Sequence, residues 1–466
     1  MKHSFMPWTH CTARWFLRRR KRLHVAIALI LISLALSTRA DDWPQWLGPK
    51  RDGIWRETGL LEKFPANGPL VRWRTGLGAG YAGPAVAGGR VYVTDRQSAP
   101  RGAASGNSSP RGAIPGTERV LCLSEADGQI LWSHEYDCPY NVDYPAGPRA
   151  TPVVNEGKVY TLGTEGNLFC FEAETGKVLW SREFKKDFGV ETPVWGFAAH
   201  PLVDGPRLIC LVGGQGSVAV AFDKSTGKEL WRALSAREPG YCPPMIYEAG
   251  GKRQLIIWHP ESLNSLDPET GKLYWTQAYA SRSGLTIATP RQEGDRLFIT
   301  SFYNGPMMLR LASDQPAATL LWRGQSNSER NTDGLHSIMC TPFFEKGHIY
   351  GVCSYGQLRC LKADTGERLW ETFAATTGGR EVRWANAFLI KNGDRFFLPN
   401  EKGDLIIARL TPKGYEEVSR IHLLEPTNTA AGRDVVWSHP AFANRCAYAR
   451  NDKEIICVSL AKATAR

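Results

Sequence analysis

Arginine and histidine stand shortly before proline in three similar stretches of the sequence, which are Arg149-Ala150-Thr151-Pro152, Ala199-His200-Pro201 and Ser438-His439-Pro440. A guanidinium in such a place can bind a carboxylate, and nearby aromatic rings can stack on a planar ligand. Comparable positions elsewhere in the chain extend the set of candidates. The candidate binding residues are Tyr81, Arg149, Trp195, His200, Tyr241, His336, Arg383, Trp384, Asn386, Trp437 and His439.

Each of these residues also has a structural interpretation. A tryptophan in a repeat protein usually packs between repeats, and an arginine or histidine in a loop often bonds only to carbonyl groups or water. The histidines lack the spacing of a metal motif, so we predict no metal site. The sequence contains no His-Glu-x-x-His, no phosphate-binding loop and no Gly-x-Ser-x-Gly, and no catalytic residue can be assigned.

A regular repeat must position these candidates. A glycine is followed four residues later by a tryptophan in five copies, at Gly128/Trp132, Gly176/Trp180, Gly227/Trp231, Gly271/Trp275 and Gly366/Trp370. Such a glycine closes a tight turn with a positive φ, and the tryptophan ends an outer strand and packs between neighbouring repeats. Six residues before each glycine a small residue lies in an apolar run, which predicts a buried strand: Cys122, Cys170, Ala221, Ser265 and Cys360.

The repeat length is typical of four-stranded blades around an axis. We expect blades at about 83–136, 147–184, 195–234, 241–279, 285–324, 336–373 and 383–424, the fifth with Asp314-Gln315-Pro316 in place of its turn glycine. The last blade, after Trp437, has only three strands, whereas Leu70-Val71-Arg72-Trp73 is an outer strand without a blade. We therefore predict an all-β, eight-bladed propeller of four-stranded antiparallel blades over residues 70–462, closed by this N-terminal strand, with little helix.

The connections between blades and the loops between second and third strands share one face of a propeller. The candidate residues should therefore surround a central funnel on that face. The Gly-, Ser- and Arg-rich insert from Gln97 to Gly116 belongs to the same face, where it either covers the funnel or is a tolerated surface insertion.

Residues 1–40 differ from the rest of the chain. Arg18 to Arg22 is basic, an apolar run from Leu23 to Leu36 follows, and Ala40 stands before Asp41. We interpret this as a signal peptide that directs the protein to the periplasm or the exterior, the alternative being an uncleaved membrane anchor. Residues 41–69 are then an N-terminal extension that packs on the propeller.

The basic charge of the chain is mostly in this leader. The whole sequence carries +11, but residues 1–40 hold eight Lys or Arg and no Asp or Glu, which leaves +3. We therefore expect no nucleic-acid partner. The cysteines lie mainly in apolar strand sequence and are expected to be small buried residues, with a disulfide at Cys138 or Cys242 as the alternative.

The apolar strand, the acidic residue, the Thr-Gly-Lys turn and the Leu-Trp ending resemble the tryptophan-docking repeat of quinoprotein-type propellers, over about residues 70–462. Such repeats occur in alcohol dehydrogenases that use pyrroloquinoline quinone (PQQ), in the assembly lipoprotein BamB and in secreted PQQ-like repeat proteins. The opening Asp42-Trp43-Pro44-Gln45-Trp46-Leu47-Gly48-Pro49 is similar to secreted members from planctomycete-type bacteria.

The resemblance implies two functions. The first is a non-catalytic, monomeric binding or assembly scaffold with a protein, peptide or carbohydrate at the funnel. The alternative is a dehydrogenase of alcohols or sugars that depends on PQQ and calcium. Against the alternative, the sequence has no adjacent cysteine pair, no haem motif and no assignable calcium ligands. The candidate cofactor-binding residues in either case are Arg149, His200, His336, Arg383, Trp384, Asn386, Trp437 and His439.

Overall fold

The computed structural model describes residues 1–3, 41–98 and 113–462. The chain divides into two units, 1–41 and 42–466. The described residues of the first unit, 1–3 and 41, belong to no strand or helix. Most of the predicted signal peptide, residues 1–40, falls on residues 4–40, and most of the predicted insert falls on 99–112, so these parts lie outside the described residues.

The described residues of the second unit form eight four-stranded antiparallel sheets. Within each sheet, strands that follow one another in the sequence lie side by side, and the one exception is the strand that closes the ring. Blade 1 contains β2 (Ala85–Ala87), β3 (Arg90–Ser98), β4 (Gly116–Ser124) and β5 (Ile130–Asp137), and blade 2 contains β6 (Val153–Asn155), β7 (Lys158–Leu162), β8 (Asn167–Glu172) and β9 (Val178–Glu183). Blade 3 contains β10 (Leu202–Asp204), β11 (Arg207–Leu211), β12 (Ala219–Asp223) and β13 (Glu229–Ala233), and blade 4 contains β14 (Met245–Ala249), β15 (Lys252–His259), β16 (Ser262–Leu266) and β17 (Leu273–Ala278). The first strand of each blade is the innermost, and the fourth is the outermost.

Blades 5 to 8 repeat this order, and a short extra hairpin of β30 and β31 lies between blades 7 and 8. Blade 5 contains β18 (Arg291–Glu293), β19 (Arg296–Ser301), β20 (Gly305–Leu311) and β21 (Ala318–Arg323), and blade 6 contains β22 (Phe343–Glu345), β23 (His348–Val352), β24 (Leu358–Lys362) and β25 (Arg368–Thr372). Blade 7 contains β26 (Ile390–Asn392), β27 (Arg395–Pro399), β28 (Asp404–Thr411) and β29 (Gly414–His422), and the extra hairpin consists of β30 (Asn428–Ala430) and β31 (Arg433–Val435). Blade 8 contains β32 (Ala441–Ala443), β33 (Cys446–Arg450) and β34 (Glu454–Ser459). The predicted eight-bladed propeller is confirmed.

The ring closes as predicted, through a strand from the other end of the sequence. β1 (Val71–Gly76) pairs antiparallel with β34, and Trp73 lies opposite Cys457. Arg74 Nη1 also donates to Glu454 Oε1 at 2.9 Å. Blade 8 therefore has four strands, and pairing removes an exposed strand edge.

The Gly–Trp repeat joins successive blades. Trp132 of blade 1 donates its indole N–H to the Ala173 carbonyl of blade 2 at 3.1 Å, and a Cβ added to Gly176 would lie 2.5 Å from the Trp132 ring. The small residue Cys122 lies directly opposite Trp132 in the sheet. The same donation to the next blade is made by Trp73, Trp180, Trp231, Trp322 and Trp370. Only a residue without a side chain fits under the indole, which explains the glycine.

Two expectations about the repeat need correction. The outer strands do not end at tryptophan, since β5 continues to Asp137 and β9 to Glu183. In both strands the alternation of inward- and outward-facing side chains continues beyond the tryptophan. The indole N–H of Trp275 of blade 4 does not donate to the next blade, where the turn glycine is missing, although the ring still packs against the apolar cluster shared by blades 4 and 5. Its N–H donates instead to Gln254 Oε1 of its own blade at 2.8 Å.

Helix is scarce in the described residues, as predicted. They contain α1 (Phe184–Phe188), followed by Gly189 in the left-handed conformation, and one 3₁₀ turn at Arg282–Gly284. None of the helices formed by described residues is long and apolar enough to cross a membrane. The ten cysteines from Cys122 to Cys457 are buried and free, so neither Cys138 nor Cys242 forms a disulfide.

Candidate functional site

A cavity of about 300 Å³ opens among the connections between blades. Its volume is at the lower end of the range of small-molecule sites. Ten aromatic side chains and two histidines line it, together with residues such as Arg149 and Ser283. The aromatic residues are Trp46, Tyr81, Tyr144, Trp195, Tyr241, Phe302, Tyr303, Trp384, Phe388 and Trp437.

Eight of the eleven sequence candidates lie in the wall of this cavity, namely Tyr81, Arg149, Trp195, His200, Tyr241, Trp384, Trp437 and His439. Three do not. His336 is buried beside the wall and bonds Asp333 and the Phe302 carbonyl, at 3.2 Å each. Arg383 lies behind the Trp384 ring, with its guanidinium carbon 4.5 Å from the ring centroid. Asn386 is buried, and its carbonyl accepts the Glu401 N–H at 3.1 Å.

The innermost strands of the eight blades begin below the cavity. We name as the inner ring the set of eight residues that stand two positions before the first residue of each innermost strand. His200 and His439 belong to it. The Thr151 N–H donates to His200 Nδ1 at 2.8 Å, and the Thr151 hydroxyl lies 2.9 Å from His439 Nε2. The members of the inner ring are Gly83, Thr151, His200, Pro243, Thr289, Thr341, Phe388 and His439.

Both histidines of the inner ring are neutral near physiological pH. Burial lowers the pKa of His200 well below its ordinary value, and the neighbouring His439 and Arg51 lower it further. Burial also lowers the pKa of His439, to about 3. Since His200 Nδ1 accepts a hydrogen bond, the neutral ring carries its proton on Nε2. The imidazoles therefore add no positive charge to the cavity.

Arg149 holds the loop that carries Tyr144. Its Nη2 donates to the carbonyls of Asp143 and Tyr144 at 2.9 and 2.6 Å, and its Nη1 donates to Gly147 at 2.7 Å. The guanidinium also lies 5.1 Å from the ring centroid of Tyr81. Arg149 thus holds two aromatic wall residues in place, Tyr144 by hydrogen bonds to its loop and Tyr81 by contact with its ring.

Trp437 is oriented by a buried ion pair. Its indole N–H donates to Glu401 Oε2 at 3.1 Å, and Arg433 on β31 binds both oxygens of Glu401 at 2.9 Å. Because a bidentate pair fixes the carboxylate plane, the indole is held in one direction. The extra hairpin between blades 7 and 8 therefore supports a wall of the cavity.

Three wall residues have a backbone conformation that is unfavourable for a side chain. Tyr144, Ser283 and Trp384 have φ values of 54°, 58° and 64°. A bulky residue with positive φ is strained, and such strain concentrates at functional sites. Tyr144 and Trp384 are the aromatic residues with positive φ in the described chain.

Two polar atoms of the wall lack partners. The indole Nε1 of Trp384 is buried and has no hydrogen-bond partner among the described residues. The Tyr241 hydroxyl approaches the backbone of Trp195 without forming a hydrogen bond of good geometry. Burial raises the pKa of Tyr241, so this hydroxyl keeps its proton and can donate. Both groups are donors beside the cavity that the described residues leave unpaired.

The wall does not fit PQQ with calcium. Calcium requires six to eight oxygen ligands, usually with carboxylates, but among the described residues no Asp, Glu, Asn or Gln lines the cavity. In residues 1–3, 41–98 and 113–462 no cluster of three or more His, Cys, Asp or Glu is arranged to hold a metal ion. PQQ carries three carboxylates, whereas Arg149 is the cationic wall residue and its terminal nitrogens donate to carbonyl groups.

Sequence reasoning missed several wall residues. Phe388 occupies the same inner-ring position as His200, so alignment of the inner-strand starts would have found it. Trp46 stood in a motif that we interpreted only as a mark of the subfamily. Tyr144, Phe302 and Tyr303 lie in irregular loops without a periodic signal.

The blades, the closing strand and the tryptophan docking define a PQQ-type repeat β-propeller. The chain belongs to the family described as "Outer membrane protein assembly factor BamB", whose model matches residues 116–317 and 259–466. The predicted resemblance is therefore confirmed. No curated protein matches the chain.

Solved structures share the fold at low identity. BamB from Moraxella catarrhalis is 16% identical, with 73% of this chain and 91% of that chain covered and a TM-score of 0.50. Quinohemoprotein alcohol dehydrogenase from Comamonas testosteroni is 13% identical, with 91% and 81% covered and a TM-score of 0.57. The computationally designed Ika8 protein is 10% identical, with 84% and 99% covered and a TM-score of 0.51. Similarity at this level of identity establishes the fold alone, so the function has to be inferred from the residues of the site.

Proposed function

We propose that this protein is an exported, non-catalytic binding propeller whose cavity takes up a small aromatic molecule that carries hydrogen-bond acceptor oxygens. The observation that carries this proposal is the wall of ten aromatic rings around about 300 Å³. Aromatic rings bury a large apolar area and favour stacked or edge-to-face contacts with another ring.

The polar groups of the wall favour an acceptor-bearing ligand. The Trp384 N–H and the Tyr241 hydroxyl can donate, and neutral His200 carries a proton on Nε2. A carbohydrate presents many hydroxyl groups that need acceptors as well as donors. Since no carboxylate or amide side chain in the described part of the chain lines the cavity, an aromatic ligand fits this wall better than a sugar.

The charges around the rings disfavour a cationic ligand. Guanidinium groups already lie over Tyr81, Tyr303 and Trp384, at 5.1, 4.6 and 4.5 Å from the ring centroids. A further cation in the cavity would meet positive charge without a wall carboxylate to offset it. The expected ligand is therefore neutral or negatively charged.

Isothermal titration of the protein with a matched set of probes tests the proposal. The set shares one ring system: 2-acetonaphthone with an acceptor, naphthalene without one, and 2-naphthyltrimethylammonium with a cation. We expect 2-acetonaphthone to bind with a Kd on the order of 10–100 μM, and the other two at least tenfold more weakly. Equal binding of all three, or of none, would refute an acceptor-selective aromatic site.

A parallel titration with PQQ, with and without calcium, tests the dehydrogenase alternative. We expect no calcium-dependent quenching of tryptophan fluorescence and no dye-linked alcohol oxidation. Tight calcium-dependent binding with turnover would overturn the proposed non-catalytic function and establish a quinoprotein.

A further inference from the structure

The segment before the first blade is anchored to the inner strands of two blades, 1 and 7, between which blade 8 lies. Trp43 exchanges two backbone hydrogen bonds with Val86 of blade 1, at 2.8 and 2.9 Å. Twelve residues later, the Trp55 N–H donates to the Lys391 carbonyl of blade 7 at 2.8 Å. Residues 43–55 therefore connect blades 1 and 7, and we name them the N-terminal strap.

A buried arginine fixes the strap from a third side. Arg51 is 4% exposed, and its guanidinium donates to the Pro201 carbonyl at 2.9 Å and to the Pro244 carbonyl at 3.3 Å. These carbonyls lie at the starts of blades 3 and 4. Burial lowers the pKa of Arg51 to about 10, so the group stays charged at neutral pH. These bonds satisfy its two terminal nitrogens, whereas Nε has no hydrogen-bond partner among the described residues.

The strap places Trp46 inside the inner ring. Its indole stacks on His200, with ring centroids 4.2 Å apart and planes inclined by 12°, and meets His439 edge to face at 4.3 Å. Its N–H donates to Thr289 Oγ1 at 3.1 Å. These partners belong to blades 3, 8 and 5, so the indole lies near the axis of the propeller.

Trp46 also separates two spaces. It lines the aromatic cavity, and it borders a second cavity of about 10 Å³ whose wall includes Trp43 and Leu47 of the strap. The side chain is 5% exposed. The axial channel is thus closed at this indole, and the aromatic cavity has a floor that the blades themselves do not supply.

We propose that Trp46 is a specificity-determining residue of the binding site, because the N-terminal strap completes the cavity and limits the length of the ligand. This inference rests on the proposed function. A blind cavity accepts one fused ring system or a single side chain and prevents an extended chain from threading through. Without the indole, the volume that its ring occupies would join the cavity and a longer ligand would fit.

The test compares two probes of different length, 2-acetonaphthone and 4-acetylbiphenyl, on wild type and on Trp46→Ala. We expect the substitution to weaken 2-acetonaphthone at least tenfold and to shift the ratio of the two affinities at least tenfold toward 4-acetylbiphenyl. Trp46→Phe should keep most of the wild-type preference. Trp43→Phe is the matched control, because Trp43 lies in the same strap but outside the aromatic cavity, and it should leave the ratio unchanged.

A folded Trp46→Ala protein with both affinities unchanged would overturn the inference while leaving the proposed function intact. If wild type binds neither probe, the proposed function fails. Whether Trp46 closes the channel is then tested without a ligand, by hydrogen exchange of its indole N–H. Its indole N–H should then exchange with solvent at least a hundredfold more slowly than an exposed indole in wild-type protein, and faster in Thr289→Val. Rapid exchange in wild type would show that the strap does not close the channel.

Discussion

Tyr144 and Trp384 meet edge to face, with ring centroids 6.3 Å apart and planes inclined by 78°, although they belong to connections between blades 1 and 2 and between blades 6 and 7. Both residues have positive φ. The contact therefore joins two strained loops over a cavity that lies between them.

Replacement of Trp384 by asparagine should separate binding from stability. Asparagine tolerates the left-handed conformation, so relief of about 1–3 kcal/mol of strain offsets much of the lost packing. We expect the affinity for 2-acetonaphthone to fall at least tenfold and the free energy of unfolding to change by less than about 1 kcal/mol. Titration and urea unfolding measure the two effects. Trp370→Asn, which removes a docking tryptophan outside the cavity, should show the reverse pattern.

Alanine at a docking glycine should destabilise the ring. In Gly176→Ala the new Cβ would lie 2.5 Å from the Trp132 ring, in a backbone with φ of 73°. We expect a loss of about 2–5 kcal/mol from crowding and backbone strain together. Gly157 of the same blade has φ of 72° but nothing within 4 Å, so Gly157→Ala should cost only about 1 kcal/mol. Equal losses in urea unfolding would mean that the indole does not rest on the glycine.

The two kinds of tryptophan should differ in their contribution to stability. Trp231→Phe removes the donor to the Pro268 carbonyl of the next blade, and we expect a loss of about 1–3 kcal/mol. In Trp275→Phe the partner Gln254 Oε1 keeps its bond from Ser265 at 2.8 Å, so the loss should stay near 1 kcal/mol. Thermal and urea unfolding of both variants give the comparison. A larger loss for Trp275→Phe would contradict this account of docking.

Acid should destabilise the protein through its buried histidines. His200 and His439 have pKa values below that of an unfolded histidine, so below about pH 6.5 the unfolded chain binds protons that the folded protein does not. Each group then lowers the free energy of unfolding by up to about 1.4 kcal/mol per pH unit as the pH falls, and for His439 this continues toward its folded pKa of about 3. His439→Gln should reduce this slope between pH 6 and 4, and the exposed His422→Gln serves as the comparison. An unchanged slope would show that His439 is protonated in the folded state.

Ligand binding should not follow this pH dependence. Between pH 5 and 8 the His439 imidazole stays neutral, burial holds the pKa of His200 well below its ordinary value, and burial keeps the Tyr241 hydroxyl protonated. The affinity for 2-acetonaphthone should therefore change less than twofold across this range in titrations at constant ionic strength. A tenfold loss toward pH 5 would place a titrating group in the wall.

The repeat was predictable because each element of it has one physical cause. The glycine at Gly176 is required by the indole of Trp132, and the small Cys122 faces that indole across the strands. These constraints recur in every complete copy, so their spacing in the sequence is enough to number the blades. Trp275 breaks the pattern where the next turn lacks its glycine.

The cavity was only partly predictable because its wall comes from irregular loops. His200 and His439 stand before proline and were found, whereas Phe388 stands before Leu389 and was missed, although all three precede an innermost strand. Tyr144 depends on the bonds of its backbone to Arg149, which no local pattern encodes. Trp46 reaches the axis only because the strap crosses between blades 1 and 7.

The pairing of β1 with β34 also sets the order in which the molecule can be completed. β1 is among the first strands that a ribosome synthesises, and β34 is the last. Until the final residues are available, β1 has an unsatisfied edge and the seven intervening blades form an open array. Contacts between such distant segments form slowly because a very long loop must close first. Completion of the ring is thus a late event that requires both β1 and β34.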